Sequence, residues 1–456
     1  MNAKALILAA GAGTRMKSAK PKVLHEVLGK PMVRWVVDAA REAGCDDVHV
    51  VIGTGKEQVE PFLPDCIISY QLEMLGTGHT VMCAADKFEG YEGSIVVLCG
   101  DTPLVRPQTI AALAEEREKL NAACVVLTME VDDPQGYGRI VRDEQGNVIA
   151  IVEQKDCTPE QAAITECNSG AYCFDAQALL SRLDRLTTNN AQGEYYLTDI
   201  LGFMVEDGLT VGGYVVDDND DCLGVNDRIQ QARAIKIAQQ RINRGHMLNG
   251  VTMIDPDKVW INPDVRVGTD VTIYPETYLG GHTSIDDCCV LGPNTRLTDC
   301  VVGDHCRIDE TVGIEATMEH DVTCGPRAYL RPGTYMCAHS KAGTHVEIKK
   351  SRIGEGSKVP HLSYIGDCTM GAGVNIGAGS ITCNYDGVNK HATTIGDGAF
   401  IGSDTMMVAP VNIGANTLVG AASCITRDVP DGALALERNK QVNKANWVRT
   451  LGKNKK

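Results

Sequence analysis

The strongest constraint on the fold is a set of aliphatic residues that recur every six positions after residue 250. A six-residue period fits neither an α-helix nor a lone amphipathic strand. It is typical of a hexapeptide parallel β-helix, in which each repeated side chain points into a narrow core. The repeated positions are Val267, Ile273, Leu279, Ile285, Leu291 and Leu297, then Ile353, Val359 and Ile365, then Ile395, Ile401, Met407, Ile413, Val419 and Ile425.

The run from Thr311 to Lys350 lacks this spacing of aliphatic residues. We therefore expect loops there. Loops on a solenoid often carry function, so this stretch is a candidate region for a site.

The first 226 residues have a different pattern, in which strand-like and helix-like segments alternate. Lys4–Ala9, Val48–Ile52 and Ser94–Cys99 are β-rich runs, and a helix is predicted through Pro31–Ala43. Such alternation predicts a mostly parallel sheet with helices on both faces and with ligands at the carboxyl ends of its strands. Residues 1–226 therefore form one predicted domain.

A single connector helix is predicted next, within residues 227–249, and residues 250–456 form the repeat domain. Asn226 or Asp227 is suited to cap the helix, and Gly245 is suited to end it.

The tail beyond Arg438 is basic. It is either a solvated tail or a segment that meets an anionic ligand or a neighbouring subunit.

Composition narrows the classes of partner. The net charge of −16 argues against a nucleic-acid or anionic-membrane partner, and no apolar run is long enough for a membrane span. The amino terminus does not resemble a signal peptide, because its short apolar run leads directly into a glycine loop. The 18 cysteines are then expected to be reduced and mostly buried, as in a cytoplasmic protein, rather than a disulfide framework.

The glycine loop after the first predicted strand carries Gly11, Gly13 and Arg15, with Lys22 soon after. Met16 excludes the dinucleotide-binding fingerprint, and no Gly-Lys-Ser/Thr follows as in a P-loop. Backbone N–H groups of such a loop approach phosphate closely, and the two cations suit a triphosphate. Alone, the loop would also fit a tight strand-to-helix turn.

Other polar residues follow predicted strands or turns in this half. Asp101 comes after Ser94–Cys99 and Gly100, where a carboxylate is placed to bind Mg²⁺ or to cap a helix. Short segments rich in glycine and amide groups surround Thr77, Gly138 and Asn168. Each segment is either only a turn or a set of donors and acceptors that contacts a sugar nucleotide.

In the repeat half, His361 lies between Pro360 and Leu362, four residues before inward-facing Ile365. Histidine titrates near neutrality, so its imidazole can act as a general base. A lone histidine is more often a surface or packing residue. Nearby cysteines offer a rival covalent route, although none is paired with a base in the sequence.

The motifs LAAGAGTRM, LGTGHT, CGD, GYGRI, VEQKD, CNSG, NNAQGEYYLTDI and GVNDR resemble those of sugar-phosphate nucleotidyltransferases. With the hexapeptide half, nearly the whole chain resembles the bifunctional N-acetylglucosamine-1-phosphate uridyltransferases/glucosamine-1-phosphate acetyltransferases. The resemblance implies an α/β nucleotidyltransferase domain with a Rossmann-like mixed sheet, followed by a left-handed parallel β-helix of hexapeptide repeats. It also implies a homotrimer.

The implied reactions have three small-molecule substrates: glucosamine-1-phosphate, acetyl-CoA and UTP. The first reaction acetylates the amine to N-acetylglucosamine-1-phosphate. The second transfers UMP from UTP, releasing pyrophosphate and giving UDP-N-acetylglucosamine for bacterial cell-wall precursors. Two alternatives remain: a single-activity sugar-1-phosphate nucleotidyltransferase with a structural β-helix, and a non-catalytic scaffold subunit.

The resemblance also implies roles for matched residues in the first half. Arg15 and Lys22 would neutralise phosphates, and Asp101 and Asn226 would bind Mg²⁺. The residues implied at UTP or UDP-N-acetylglucosamine are Leu8, Ala9, Ala10, Gly11, Lys22, Gln71, Gly76, Thr77, Gly138, Glu153, Asn168 and Asn226.

In the repeat half the implied general base is His361. The implied acetyl-acceptor site consists of Arg331, Lys349, Tyr364 and Asn375, and the implied acetyl-CoA site of Ala378, Asn384, Tyr385, Ser403, Ala421 and Arg438. Two positions depart from the family pattern. Cys99 replaces a common tyrosine before the Gly-Asp pair, and Ala12 replaces a residue that is often lysine.

Overall fold

The computed structural model describes residues 2–447. Two compact units make up the chain, Met1–Ala238 and Gln239–Lys456. The division falls inside a single helix, α8 (Arg228–Leu248), which runs from one unit into the next. From the predicted basic tail, Arg449, Lys453, Lys455 and Lys456 lie outside the described residues, whereas Lys440 and Lys444 are exposed.

The first unit contains a nine-stranded mixed sheet and a separate two-stranded hairpin. The hairpin is β2 (Glu26–Val27) with β3 (Lys30–Pro31). The strands of the large sheet are β1 (Ala3–Ala9), β4 (Val48–Ile52), β5 (Ile67–Tyr70), β6 (Ser94–Cys99), β7 (Cys124–Glu130), β8 (Arg139–Arg142), β9 (Val148–Val152), β10 (Glu166–Asp175) and β11 (Val211–Val215).

The main strand order of this sheet is β11-β7-β10-β6-β1-β4-β5, and four of its strand pairs are parallel: β11 with β7, β6 with β1, β1 with β4, and β4 with β5. β10 is antiparallel to both β6 and β7 and connects to the antiparallel pair β8 and β9. All five residues of Val48–Ile52 are buried, as expected of a central strand covered on both faces. The predicted Rossmann-like mixed sheet is confirmed, but the four antiparallel pairs, three of them with β10, mean that it is not mostly parallel.

Helices cover this sheet on both faces. The buried side chains of the two faces accordingly form two separate clusters. In α1 (Met32–Glu42) the buried residues Met32, Val33, Val36, Val37 and Ala40 form one stripe. The other helices are α2 (Lys56–Val59), α3 (Thr77–Met82), α4 (Pro107–Leu120), α5 (Pro159–Ala162), α6 (Ala176–Leu180) and α7 (Asp199–Glu206). Short 3-10 turns are Thr14–Met16, Lys22–Leu24, Glu60–Phe62, Ala85–Phe88, Leu183–Arg185, Asn219–Cys222 and Pro256–Lys258.

The ends of the connector helix are marked by Asp227 and Gly250. The Asp227 carboxylate accepts hydrogen bonds from the backbone N–H groups of Ile229 and Gln230, at 2.9 and 2.8 Å, and so caps the amino terminus. The prediction that Gly245 ends the helix is wrong. The helix continues to Leu248, and Gly250, with φ at +96°, provides the left-handed residue just beyond it.

The second unit is a parallel β-helix with three faces. Face 1 is β12 (Thr252–Met253), β15 (Thr272–Ile273), β18 (Val290–Leu291), β21 (Arg307–Ile308), β24 (Thr323–Cys324), β27 (Lys341–Thr344), β30 (Lys358–His361), β33 (Asn375–Ile376), β36 (Phe400–Ile401), β39 (Leu418–Val419) and β41 (Leu434–Ala435).

Faces 2 and 3 follow face 1 in nine successive coils. Face 2 is β13 (Val259–Ile261), β16 (Thr277–Gly280), β19 (Arg296–Thr298), β22 (Val312–Ile314), β25 (Tyr329–Leu330), β28 (Glu347–Lys349), β31 (Tyr364–Gly366), β34 (Ile381–Cys383), β37 (Met406–Val408) and β40 (Cys424–Ile425). Face 3 is β14 (Arg266–Val267), β17 (Ser284–Ile285), β20 (Val301–Val302), β23 (Thr317–Met318), β26 (Tyr335–Met336), β29 (Arg352–Ile353), β32 (Cys368–Met370), β35 (Thr393–Ile395) and β38 (Val411–Ile413).

The predicted aliphatic repeat forms the core of this β-helix, since residues such as Leu279, Ile365 and Val419 are fully buried in it. The prediction of loops from Thr311 to Lys350 is wrong, because strands of all three faces continue through this stretch. Its inward positions are still six residues apart: Met318, Cys324, Leu330, Met336, Ala342 and Ile348. Four of these six are Met, Cys or Ala rather than Ile, Leu or Val, so the aliphatic pattern is interrupted although the coil is not.

The described residues contain one longer departure from the coil, between Cys383 and Thr393. This insertion, residues 384–392, leaves face 2 and returns to face 3. Tyr385 pairs with Lys390 as an antiparallel bridge, and the Asp386 carboxylate accepts hydrogen bonds from the backbone N–H groups of Val388 and Asn389. The insertion is therefore an ordered hairpin rather than a continuation of the repeat.

All the cysteines are free, and most are buried, as predicted. Among residues 2–447, no helix has both the length and the apolar character that crossing a lipid bilayer requires.

Candidate active sites

A pocket of about 330 Å³ opens in the first unit, where β1, β5 and β6 end. This is the edge at which open α/β sheets bind ligands. The residues that line it are Leu8, Ala9, Ala10, Gly11, Ala12, Lys22, Val23, Gln71, Met74, Gly76, Thr77, Thr80, Cys99, Asp101 and Glu194. Most residues predicted at the nucleotide are among them, whereas Arg15, Gly138, Glu153, Asn168 and Asn226 are not.

Gly13 explains how the glycine loop brings Lys22 to this pocket. Its φ is +61°, and a Cβ atom added there would lie 2.4 Å from the Cβ atom of Lys22. Only glycine therefore combines this left-handed turn with the close passage of Lys22.

Lys22 is the centre of a cluster that unites four predicted residues. Its ammonium group is ion-paired with the Asp101 carboxylate and donates a hydrogen bond of 2.6 Å to Oδ1 of Asn226. Arg15 donates to the same Oδ1 atom through Nη2, at 2.9 Å. Asn226 also follows Val225, whose backbone N–H donates to the carbonyl oxygen of Asp101 at 2.9 Å. The chain segment after Cys222 is thereby fixed beside the end of β6.

Asp101 and Asn226 together offer a carboxylate and an amide oxygen. These are the hard oxygen donors that Mg²⁺ prefers. Both oxygens already surround a cation, the Lys22 ammonium, so the electrostatics of this position favour positive charge. The residues present therefore fit a divalent cation whose remaining ligands are supplied by phosphate or water.

Gln71 also lines this pocket and is buried. Its Nε2 atom donates to the carbonyl oxygen of Gly76 at 3.1 Å, and its Oε1 atom accepts from Thr80 at 2.9 Å. These bonds fix the orientation of the side-chain amide. Gly76 has φ at +104°, and a Cβ atom there would lie 2.7 Å from the carbonyl oxygen of Tyr195. A rigid polar edge of this kind suits recognition of a planar base.

Gly138, Glu153 and Asn168 form a second cluster in the first unit. The Asn168 backbone N–H donates to the Gly138 carbonyl oxygen at 2.9 Å, and a Cβ atom on Gly138 would lie 3.6 Å from Oε1 of Glu153. Asn168 also donates to the Tyr172 hydroxyl at 2.8 Å. Burial raises the pKa of Glu153, although a hydrogen bond from Thr198 favours its charged form. Hydrogen-bonding groups of this type suit a sugar.

Cys99 connects this cluster with the pocket. Its thiol donates to the carbonyl oxygen of Gly170 at 3.4 Å, in the bulge of β10 between Asn168 and Tyr172. Burial raises the pKa of Cys99 to about 12, so the thiol is neutral and unreactive at neutral pH. The sequence identified Cys99 as a departure from the family pattern but did not predict this contact. It also missed Met74, Thr80 and Glu194 as lining residues.

In the second unit, several predicted residues form a column along the corner between faces 1 and 2. His361 and Leu362 lie at this corner, and the next coils place Ala378, Ser403 and Ala421 there. Backbone hydrogen bonds stack these turns: the N–H of Asp404 donates to the Ala378 carbonyl oxygen, and that of Ala422 to the Ser403 carbonyl oxygen, both at 2.7 Å. The Arg438 guanidinium donates to the Ala421 carbonyl oxygen at 3.1 Å. The column is an extended edge of small residues with a cation at its end.

A separate cluster lies at the corner between faces 2 and 3. Asn384 donates through Nδ2 to the Asp367 carboxylate at 2.5 Å and to the Tyr364 hydroxyl at 3.4 Å. The Lys349 ammonium lies 3.7 Å from Asp367. Tyr364 is in register with Glu347, which accepts a 2.8 Å hydrogen bond from Arg331. The structure thus brings Arg331, Lys349, Tyr364 and Asn384 to one side of the β-helix.

Lys390, in the inserted hairpin, joins this cluster and was missed by the sequence analysis. A groove of about 480 Å³ is lined by Lys349, Lys350, Arg352, Asp367 and Lys390, among others. The neighbouring Lys349 lowers the pKa of Lys390. An excess of cationic groups around one carboxylate suits a phosphate. The only signal in the sequence was the interruption of the repeat after Cys383.

The predicted base is not part of that cluster. Within residues 2–447, the side chain of His361 makes no hydrogen bond or ion pair, and it is exposed. Asn375 lies on face 1, in register with Lys358 and Phe400, and Tyr385 is exposed in the hairpin. A single chain therefore does not gather every residue predicted for acetyl transfer.

Comparison with known proteins gives a consistent result. The model of the MobA-like NTP transferase domain matches residues 5–193. A relative from Trichlorobacter lovleyi, named bifunctional protein GlmU, is 50% identical over 447 residues, covering 97% of each chain. One of the same name from Carboxydothermus hydrogenoformans is 51% identical over 445 residues, covering 97% of this chain and 99% of its own. A solved UDP-glucose pyrophosphorylase in complex with UDP-glucose is 20% identical, with a TM-score of 0.45, and aligns with 53% of this chain and all of its own.

Proposed function

Because the chain belongs to the family of bifunctional GlmU proteins, which are uridyltransferases and acetyltransferases, we propose that its two units catalyse two successive reactions. The second unit acetylates glucosamine-1-phosphate with acetyl-CoA. The first unit transfers UMP from UTP to the resulting N-acetylglucosamine-1-phosphate, giving UDP-N-acetylglucosamine for cell-wall synthesis. Relatives of this name over 97% of the chain argue against a scaffold and against a merely structural β-helix.

The observation that carries the uridyltransferase assignment is the convergence of Lys22, Asp101 and Asn226 at the pocket edge. An oxygen of the sugar phosphate attacks the α-phosphorus of UTP, and the bond from this phosphorus to pyrophosphate breaks. Arg15 and Lys22 stabilise the negative charge on the phosphates, so the enzyme needs no nucleophilic side chain. Asp101 and Asn226 would bind Mg²⁺, which when bound supplies further positive charge to the phosphate oxygens.

The remaining residues of the first unit orient the substrates. Gln71, Gly76 and Thr77 bind the base and ribose together with Leu8 to Gly11, which line the same pocket. Gly138, Glu153 and Asn168 bind the N-acetylglucosamine moiety. Such positioning lowers the barrier because both reactants are held in one geometry.

In the second unit the amine of glucosamine-1-phosphate attacks the carbonyl carbon of acetyl-CoA. His361 accepts a proton from the amine, and the sulfur of CoA leaves and is protonated. Arg331, Lys349 and Tyr364 bind the sugar phosphate together with Asn375, and Lys390 adds a further cation. Ala378, Asn384, Tyr385, Ser403, Ala421 and Arg438 bind acetyl-CoA.

A homotrimer is part of this proposal. Phe400, Leu418 and Leu434 are in register on face 1 and about half exposed or more, at 49%, 49% and 62%. Such an apolar ladder favours association. A neighbouring chain would also explain why His361 and Asn375 lie apart from the Lys349 cluster. We further infer a cytoplasmic location, in keeping with the free cysteines.

The test is an end-point assay by mass spectrometry. Purified protein is incubated with glucosamine-1-phosphate, UTP and Mg²⁺, with and without acetyl-CoA. We expect UDP-N-acetylglucosamine only when acetyl-CoA is present. If UDP-N-acetylglucosamine formed from added N-acetylglucosamine-1-phosphate but not from glucosamine-1-phosphate with acetyl-CoA, the chain would be a uridyltransferase with an inactive β-helix. No product from either sugar phosphate would contradict the proposal.

A further inference from the structure

The corner between faces 3 and 1 of the β-helix carries a group of histidines that the proposed reactions do not use. His320 and Asp321 lie on one coil, and His339 occupies the corner of the next coil. The backbone N–H of His339 donates to the carbonyl oxygen of His320 at 3.2 Å, which stacks the two turns directly. This corner is distinct from the two corners that carry the proposed acetyl-CoA and sugar-phosphate residues.

The three side chains approach one another closely. Nδ1 of His320 and Nδ1 of His339 lie 2.9 and 3.7 Å from Oδ2 of Asp321. The imidazole rings are 5.0 Å apart and nearly perpendicular, at 88°. One ligand atom from each of the three residues lies within 4.8 Å of the others.

These distances suit a transition metal. Bond lengths of about 2.0–2.2 Å to nitrogen and oxygen place the ligand atoms of a tetrahedral zinc site about 3.3–3.6 Å apart. The separations in the cluster bracket this range, so small side-chain rotations are sufficient. Two imidazoles and one carboxylate are ligands that Zn²⁺ and its neighbours prefer, whereas Mg²⁺ prefers oxygen.

The surroundings also favour a cation. Glu355, on the coil after that of His339, interacts electrostatically with His320 and adds negative charge beside the cluster. Glu319 is already engaged, because it accepts hydrogen bonds from the Tyr335 hydroxyl and the Ala338 backbone N–H. The three ligand side chains are about half exposed, so a metal ion has direct access from solvent.

We propose that His320, Asp321 and His339 bind one divalent transition-metal ion of the Zn²⁺ type, which cross-links two successive coils of the β-helix. The backbone of the site is fixed by the coil itself, since the turns at Asp321 and His339 both adopt left-handed conformations and pair with neighbouring coils. Water or Glu355 completes the coordination. The ion stabilises the β-helix and takes no part in acetyl or uridyl transfer.

The experiment uses full-length protein without an affinity tag, treated with a chelator and dialysed. Titration with Zn²⁺ by calorimetry, and with Co²⁺ by visible absorption, should show about one saturable site per chain. His320→Ala and His339→Ala should each remove that site, and neither variant should gain the thermal stability that the metal gives the wild type. His282→Ala removes an exposed histidine elsewhere on the β-helix and should bind as the wild type does.

Equal binding by the wild type and the His320→Ala/His339→Ala double variant would overturn the proposal, since the metal would then be held by the cysteines or other groups. Failure of the wild type to bind either ion saturably would overturn it as well. The acetyltransferase and uridyltransferase activities of these variants report whether they are folded.

Discussion

The Lys22 ammonium is ion-paired with the Asp101 carboxylate at the edge of the first-unit pocket. The two side chains are 14% and 21% exposed, so solvent screens this pair only in part. The structure thus places a lysine ammonium group against the carboxylate proposed to bind Mg²⁺. Substrate binding would release Lys22 towards the phosphates while the metal replaces it at Asp101.

Lys22→Met should lower kcat/KM for UTP by about 10- to 100-fold, because one charge-assisted contact to the phosphates is lost. Acetyl transfer should not change. Lys4→Met is the matched control, since Lys4 is ion-paired with Asp47 at 2.9 Å in the same unit but does not line the pocket. Steady-state kinetics of the two partial reactions provide the measurement. Equal losses in the two variants would contradict the assigned role of Lys22.

Glu153→Gln should separate stability from function. Burial raises the pKa of Glu153 in the folded state above its ordinary value of 4.5. As the pH rises past 4.5, the unfolded chain loses this proton more readily than the folded one, so the free energy of unfolding falls. The urea midpoint of the glutamine variant should therefore exceed that of the wild type at pH 7, and the difference should disappear at about pH 4. Its KM for N-acetylglucosamine-1-phosphate should rise by about 10-fold through the weakened hydrogen bond.

The control for that experiment is Glu144→Gln, which alters an exposed glutamate of the same unit. It should change neither the urea midpoint nor the KM for the sugar phosphate. A Glu153→Gln variant with unchanged stability at both pH values would show that burial does not oppose the ionisation of Glu153.

Lys349→Met and Lys390→Met should both raise the KM for glucosamine-1-phosphate. Two ammonium groups around Asp367 suit a phosphate, and each charge-assisted contact is worth about a 10- to 100-fold change in kcat/KM. Lys341→Met, an exposed lysine on face 1, is the matched control. Initial rates of acetyl transfer at varied sugar phosphate measure the effect. Unchanged KM in Lys390→Met would exclude the hairpin from this site.

His49 makes the first unit sensitive to acid. Burial, with a smaller effect of Lys4, lowers its pKa from 6.5 to about 4. Within residues 2–447, neither ring nitrogen has a hydrogen-bond partner. The unfolded imidazole takes up a proton below about pH 6.5 and the folded one only near pH 4. Stability therefore falls as the pH falls through this window, by up to about 3 kcal/mol.

His49→Leu replaces the imidazole with an apolar side chain of similar size and removes this proton uptake. The urea midpoint for loss of uridyltransferase activity should decline less between pH 7 and about pH 4.5 than in the wild type. Identical pH profiles for the two proteins would contradict the proposed cause.

Sequence patterns predicted the architecture well where one physical rule dominates. Burial of aliphatic residues at every sixth position identified the β-helix, and the glycine loop before Lys22 identified the pocket edge. The rule failed from Thr311 to Lys350, because Met318, Cys324 and Ala342 also fill a narrow core. Lys390 escaped prediction because its place depends on how the inserted hairpin folds back towards Lys349, which no local spacing encodes.

The most direct test of two separate active sites is a reciprocal pair of variants. Asp101→Asn and His361→Ala are each assayed for uridyl transfer from UTP to N-acetylglucosamine-1-phosphate and for acetyl transfer to glucosamine-1-phosphate. The account predicts that Asp101→Asn loses about 100-fold or more of uridyl transfer and keeps acetyl transfer, and that His361→Ala does the reverse. Loss of both activities in either folded variant, or retention of acetyl transfer by His361→Ala, would contradict it.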